Sequence, residues 1–154
     1  MIRGSDVLGR IELSVEIKAQ PEKVWEMLAL DRLPEWNEEY GDVKYTSEVR
    51  NPEDKYKVGA SSHTNIKGPG EIDFEITESL ENEKITFRML GKRANNTVVT
   101  YILKPYEEGT EFIYVMTYKM PGGILGRALG GLGSRMLEKE AKGALEKLKN
   151  ILEK

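Results

Sequence analysis

The sequence predicts an α+β fold in which a curved antiparallel sheet of seven strands wraps one long C-terminal helix. Three observations carry the prediction. Residues 10–18 alternate strictly, with Ile11, Leu13, Val15 and Ile17 on one face and Glu12, Ser14, Glu16 and Lys18 on the other, the period of a half-buried strand. Between residues 43 and 120, six further strand-like segments are separated by short turn sequences, which makes neighbours antiparallel. From residue 126 onward the apolar spacing lengthens to three and four residues, the period of an amphipathic helix.

The elements follow in order. Ala19-Gln20-Pro21-Glu22 ends the first strand and opens a short helix: Pro21 suits the first helical position, and Glu22 complements the positive helix end. Val24, Trp25 and Leu28 give that helix its apolar face, and Asp31-Arg32-Leu33-Pro34-Glu35-Trp36 starts a second short helix that ends before Gly41. Strands are expected at 43–50, 56–67, 71–80, 84–90, 96–105 and 110–120. The turns between them are Asn51-Pro52-Glu53-Asp54, Gly68-Pro69-Gly70, Glu81-Asn82-Glu83, Gly91-Lys92-Arg93 and Glu107-Glu108-Gly109. Ile72, Phe74 and Ile76 alternate with Glu71, Asp73 and Glu75, so one sheet face is buried and the other wet. In the final helix Leu125, Leu129, Leu132, Met136, Leu145, Leu148 and Leu152 form the apolar stripe. A one-faced sheet needs a cover, and that helix is the only element long enough to provide it. The whole chain, 1–154, reads as one domain, with residues 1–9 expected to be extended or poorly ordered.

Composition narrows the function. The 154 residues include 23 Lys and Arg against 26 Asp and Glu, a net charge of −3, which argues against a general nucleic-acid binder. With no cysteine and one histidine, His63, neither thiol chemistry nor a zinc site is expected. No apolar run reaches the roughly 20 residues that span a bilayer, and no secretory leader is seen, so a cytoplasmic location is expected.

Several pieces of the chain together resemble the START-like superfamily (SRPBCC, helix-grip or birch-pollen-allergen-like), of the polyketide cyclase/dehydrase and lipid-transport type. They are Pro21-Glu22-Lys23-Val24-Trp25, Asp31-Arg32-Leu33-Pro34-Glu35-Trp36, Phe74-Glu75-Ile76-Thr77-Glu78, Gly109-Thr110 and Pro121-Gly122-Gly123-Ile124-Leu125-Gly126-Arg127. The resemblance spans residues 10–153. It implies a β-α-α-β6-α helix-grip fold with an internal hydrophobic cavity. It also implies binding or transport of a lipid, isoprenoid or polyketide-like molecule, without catalysis, cofactor or metal. The alternatives are a polyketide cyclase/aromatase-like enzyme using the same cavity, or a protein-interaction module.

The inward-facing residues then become the expected ligand contacts: Phe74, Ile76, Phe87, Met89, Tyr101, Phe112, Tyr114, Met116 and Tyr118 from the sheet, and Leu125, Leu129, Leu132 and Met136 from the helix. Met adapts to irregular shapes, and a buried Tyr needs a partner for its hydroxyl. The alternative is that the same side chains form a dry core. Gly122, Gly123, Gly126 and Gly130 weaken the first turns of the helix and are the expected gate, with Leu33 and Trp36 opposite. His63, among Ser61, Ser62, Thr64 and Asn65, is a candidate polar contact at one end of the cavity. Val98, Ile102, Ile113 and Val115 fall on the outer face and are the expected contact of a homodimer.

Overall fold

The alternation at the start of the chain is realised as β1 (Val7–Ile17), which begins three residues before the expected strand because it pairs along its whole length with β7 (Gly109–Met120). The computed structural model describes residues 7–67, 70–91, 94, 96–120 and 123–154, and the side chains of residues 7, 8, 120 and 123–134 lie outside that description. Between these two strands come β2 (Lys44–Tyr45), β3 (Ser61–Ile66), β4 (Gly70–Leu80), β5 (Lys84–Leu90) and β6 (Val98–Tyr106). The sheet order is β1-β7-β6-β5-β4-β3-β2, antiparallel throughout, so the first strand seals the last.

Two helical segments follow β1. In α1 (Pro21–Glu26), Pro21 occupies the first turn, and Val24 and Trp25 are buried. The second expected helix is a 3-10 turn, Leu30–Glu35, with Pro34 inside it. Proline lacks the N–H that a continuing α-helix would use, which keeps the segment short. The Trp36 indole N–H donates to the Met27 carbonyl at 2.9 Å and ties the two segments together.

The second and third strands are shorter than expected. Instead of 43–50, β2 covers only Lys44–Tyr45. Beyond it, the Thr46 and Ser47 N–H groups both donate to the Ser61 carbonyl, and the Ser61 N–H donates to Ser47 Oγ at 2.9 Å, so a side chain replaces the ladder. Next, Asp54 accepts from the N–H groups of Arg50 and Asn51 and organises a 3-10 turn at Pro52–Lys55. Gly59, at φ 92°, bends the chain into β3: the Gly59 N–H donates to the Ile76 carbonyl and the Ile76 N–H to the Ala60 carbonyl, but 56–60 form no regular strand.

The inner face carries a continuous apolar layer. Phe74, Phe87, Tyr101 and Phe112 are fully buried, with ring centroids 5.2 Å apart for Phe74–Phe87, 5.7 Å for Phe87–Tyr101 and 5.4 Å for Tyr101–Phe112. Trp36 sits edge-on to Tyr101 and Phe112. The cover is α2 (Gly123–Leu152), whose 30 residues extend about 45 Å at 1.5 Å each. It packs through Leu137, Ala141, Ala144, Leu145 and Leu148. Its end is pinned to the end of β1: the Lys18 N–H donates to Glu153 at 2.9 Å and the Lys149 ammonium to the Glu16 carbonyl at 2.6 Å. Met136, expected in the buried stripe, is instead 58% exposed. At about 100° per residue it lies about 120° around the helix from Leu148, whereas Leu137 lies within about 20°. Leu137 takes the inward place.

Candidate functional site

The short helical segments cover only one end of the sheet. Where α1 meets β6 and β7, the space is filled by Leu28, Leu30, Leu33, Trp36, Ile76, Phe112 and their neighbours. At the other end, where β4 and β7 meet the middle of α2, a cavity of about 160 Å³ remains. Its walls come from the strands through Ile66, Ile72, Met89, Tyr114, Met116 and Tyr118, and from α2 through Leu137, Glu140 and Ala141. Ala94 and Thr97, before β6, and Lys67, after β3, also reach it. Asn37, Glu39 and Tyr40 close it from the segment that follows the first 3-10 turn. That segment is held locally: Asn37 Oδ1 accepts from the Glu39 N–H at 3.1 Å, the Lys67 N–H donates to the Glu39 carbonyl at 2.9 Å, and Tyr40 forms a bridge with Ile66.

Outside lies a larger groove of about 630 Å³ between residues 36–39 and the outer side of α2, crossed by a 3.2 Å ion pair between Lys147 and Glu38. Asn37, Glu39 and Glu140 border both spaces and therefore mark the mouth of the cavity. Burial raises the Glu140 carboxyl above its ordinary value, and Glu39 raises it further, while Lys67 opposes the change. Burial also raises the Tyr114 and Tyr40 hydroxyls, with Glu140 adding to the first, and Tyr114 and Glu39 to the second. Among the described residues, the Tyr114 hydroxyl donates only to Met116 Sδ, at 3.3 Å. Behind this wall Tyr101 is fully buried, and among the described residues its hydroxyl has no hydrogen-bond partner. It feels Tyr40 and Tyr114 electrostatically.

Four of the expected contacts, Met89, Tyr114, Met116 and Tyr118, come together at this cavity. Phe74, Ile76, Phe87, Tyr101 and Phe112 face inward but do not line it, because their side chains pack against one another and the short helical segments. Leu33 is fully buried in the filled end rather than standing at a mouth. Trp36 is also buried, with its ring packed edge-on against the adjoining Tyr101 and Phe112, and it lines the outer groove rather than the cavity. Gly123, Leu125, Gly126, Leu129, Gly130 and Leu132 lie in α2, but the side chains over this stretch are outside the described residues, as is Gly122 altogether.

His63 does not reach the cavity. It stands on the outer face, its side chain 44% exposed, with Nδ1 2.6 Å from Asp73 and Nε2 3.6 Å from Glu71. The physical reason is the period of two. His63 is opposite Asp73 in the β3–β4 register, and Asp73 alternates with the buried Ile72 and Phe74, so both point out while Ser62 and Thr64 point in. Val98, Ile102, Ile113 and Val115 do share the outer face. Ile102 and Ile113 are paired, all four are half-buried, and Lys84, Arg88, Glu12 and Ser14 border them in register.

Lining residues that the sequence reading did not name as contacts are Asn37, Glu39, Tyr40, Ile66, Lys67, Ile72, Ala94, Thr97, Leu137, Glu140 and Ala141. Leu137 and Ala141 carried a usable signal, their separation of 11 and 7 residues from Leu148. The polar ones carried none, since a Glu at a cavity mouth and a solvated Glu read alike.

A curved antiparallel sheet closed over a long C-terminal helix, with two short helical segments between the first two strands, defines the helix-grip, START-like class of fold. The chain belongs to the polyketide cyclase/dehydrase and lipid transport family, whose model matches residues 9–153. Among solved structures it is similar to a Staphylococcus aureus protein of unknown function, at 13% identity and TM-score 0.75 over 96% of this chain and 95% of that one. A Bacillus halodurans protein matches at 21% identity and TM-score 0.71, over 97% and 99%. The Aha1 dimer of Colwellia psychrerythraea matches at 20% identity and TM-score 0.61, over 94% and 96%. At these identities the likeness establishes the fold. No curated protein matches the sequence. Among the described residues there is no cluster of three or more metal-ligating side chains and no helix long and apolar enough to cross a membrane.

Proposed function

We propose that the protein binds a hydrophobic small molecule in the cavity between β4, β7 and α2 and carries it without transforming it. The observation behind this reading is an unfilled, mainly apolar space in an otherwise close-packed core, walled by Ile66, Ile72, Met89, Met116 and Leu137. Membership of a family that includes lipid transport supports it. Affinity would come from apolar area removed from water, at roughly 25 cal/mol per Å² before the cost of association. Native mass spectrometry of protein purified from its own host tests the reading: a co-purified apolar molecule, released on denaturation, is expected. A bare protein mass, together with failure of Met89 and Met116 methyl resonances to shift with any apolar probe, would sink it.

A second reading, a cyclase-like enzyme, is favoured by one observation. Glu140 holds its proton more tightly than an ordinary carboxyl and stands by Tyr114 at the mouth, as a general acid would. Turnover of a polyketide-like substrate that is lost in Glu140→Gln while binding persists would replace the carrier reading with this one.

A further inference from the structure

The ligand class can be taken further, resting on the cavity-binding reading above. An engineered protein cavity of about 150 Å³ holds one benzene molecule, whereas pockets for drug-sized ligands run from about 300 to 1,000 Å³. At about 160 Å³ this cavity holds a single ring or its aliphatic equivalent. A lipid chain of sixteen carbons exceeds that volume and would have to extend out through the mouth.

The mouth selects by chemistry. Glu39 and Glu140 reach it from opposite sides, one from the segment after the first 3-10 turn and one from α2, and Lys67 is the one cation that also lines the cavity among the described residues. Two carboxylates against one ammonium leave the opening net negative, with charged hydrogen-bond acceptors in excess. Asn37 Oδ1 is already engaged by the Glu39 N–H, which leaves Asn37 its amide NH2, a neutral donor that does not change the charge balance. Deeper in, the Tyr114 hydroxyl has, among the described residues, only the Met116 thioether as acceptor. Its oxygen retains capacity to accept a hydrogen bond from whatever fills the space. An anionic ligand would bring a third negative group to this mouth. A donor meets acceptors at each step.

We propose that the cavity takes a compact molecule of about one ring whose polar end is a hydrogen-bond donor, a hydroxyl or an amine, and that it rejects carboxylates and long-chain lipids. The apolar body lies against Ile72, Met89 and Met116, and the donor faces Glu39 and Glu140.

Five probes test this on the full chain, with binding read from the methyl resonances of Met89 and Met116: p-xylene, p-cresol, benzylamine, benzoate and hexadecanol. p-Cresol and benzylamine are expected to bind about tenfold or more tighter than benzoate, the difference made by a donor meeting a charged acceptor. Hexadecanol, which has the donor but not the size, is expected to leave both methyls unmoved. In Glu39→Gln/Glu140→Gln the preference for benzylamine over benzoate should collapse to within about threefold while p-xylene binding persists, which also shows that the variant is folded. Benzoate binding as tightly as benzylamine to the unmodified protein overturns the donor rule, and hexadecanol shifting both methyls overturns the size limit. Either result leaves the cavity reading standing. If p-xylene and the other small probes all fail to shift either methyl, the cavity reading fails first and takes this inference with it.

Discussion

Glu140 is held where burial and the neighbouring Glu39 both oppose its negative charge. Its carboxyl is raised above the ordinary 4.5 in the folded protein, so the fold binds that proton more tightly than the unfolded chain does. The stabilising contribution is complete below about pH 4.5 and is lost as pH rises through the folded value. Glu140→Gln should therefore melt at or above the unmodified protein at pH 7, with the difference shrinking at acid pH; a variant less stable at pH 7 would contradict the argument. His63 presents a different case on the other face. Asp73, and more weakly Glu71, raise its pKa above 6.5, so the contribution of this pair is present below pH 6.5 and fades as pH climbs through the raised value. As the only histidine, it gives one unambiguous titrating NMR signal. Its midpoint should lie above 6.5 and move back toward that value in Asp73→Asn.

At the scale of elements, β1 and β7 are where the sheet tolerates least change. Gly109, buried at the start of β7, lies so close to the end of β1 that a Cβ there would strike the Ile17 carbonyl, and Thr110 Oγ1 donates to the Ala19 carbonyl at 2.7 Å beside it. Backbone cannot swing aside, so Gly109→Ala should cost about 1–3 kcal/mol or more in urea unfolding. Gly9, opposite Tyr118, meets a movable ring instead. Gly9→Ala should be milder in stability yet displace Tyr118, a cavity wall, and weaken p-xylene binding. In α2, each interior glycine costs roughly 0.8–1 kcal/mol of helix propensity relative to Ala. If the proposed gate at Gly126 and Gly130 governs ligand access, Gly126→Ala/Gly130→Ala should slow probe exchange in NMR line shapes without changing affinity in proportion. Much of this architecture was legible, because alternation in Ile72-Asp73-Phe74-Glu75-Ile76 and the leucine spacing of α2 are local records of a buried face. The cavity was not. Whether an inward residue lines a space or fills one depends on how far α1 and the first 3-10 turn extend over the sheet, which no strand encodes. Phe87 and Met89 alternate identically, yet one is in the dry core and the other at the cavity. The face of His63 could have been read from its register with Asp73, and the phase of Met136 from Leu148.

For the whole molecule, a ligand that binds only the folded state adds RT ln(1 + [L]/Kd), about 2.7 kcal/mol at a hundredfold excess over Kd. For a chain of this size that is a melting-temperature rise of roughly 5–10 °C. A donor-bearing single-ring probe at that excess should produce such a rise in calorimetry, and no rise at occupancy confirmed by NMR would mean that the unfolded chain binds it as well. The pairing of β1 with β7 makes this linkage global, since the wall formed by Tyr114, Met116 and Tyr118 is fixed only once the first and last strands of the chain have met.

The indole of Trp36, fixed by its bond to Met27 and set edge-on to Tyr101, has an optical consequence. The protein has two tryptophans, both buried, and the other, Trp25, is stacked on Tyr56 at 5.2 Å. In Trp25→Phe every tryptophan photon would come from a site whose next residue, Asn37, borders the cavity mouth. Emission from this single chromophore then reports occupancy without any attached label, and an unknown cargo becomes something that can be screened for by light.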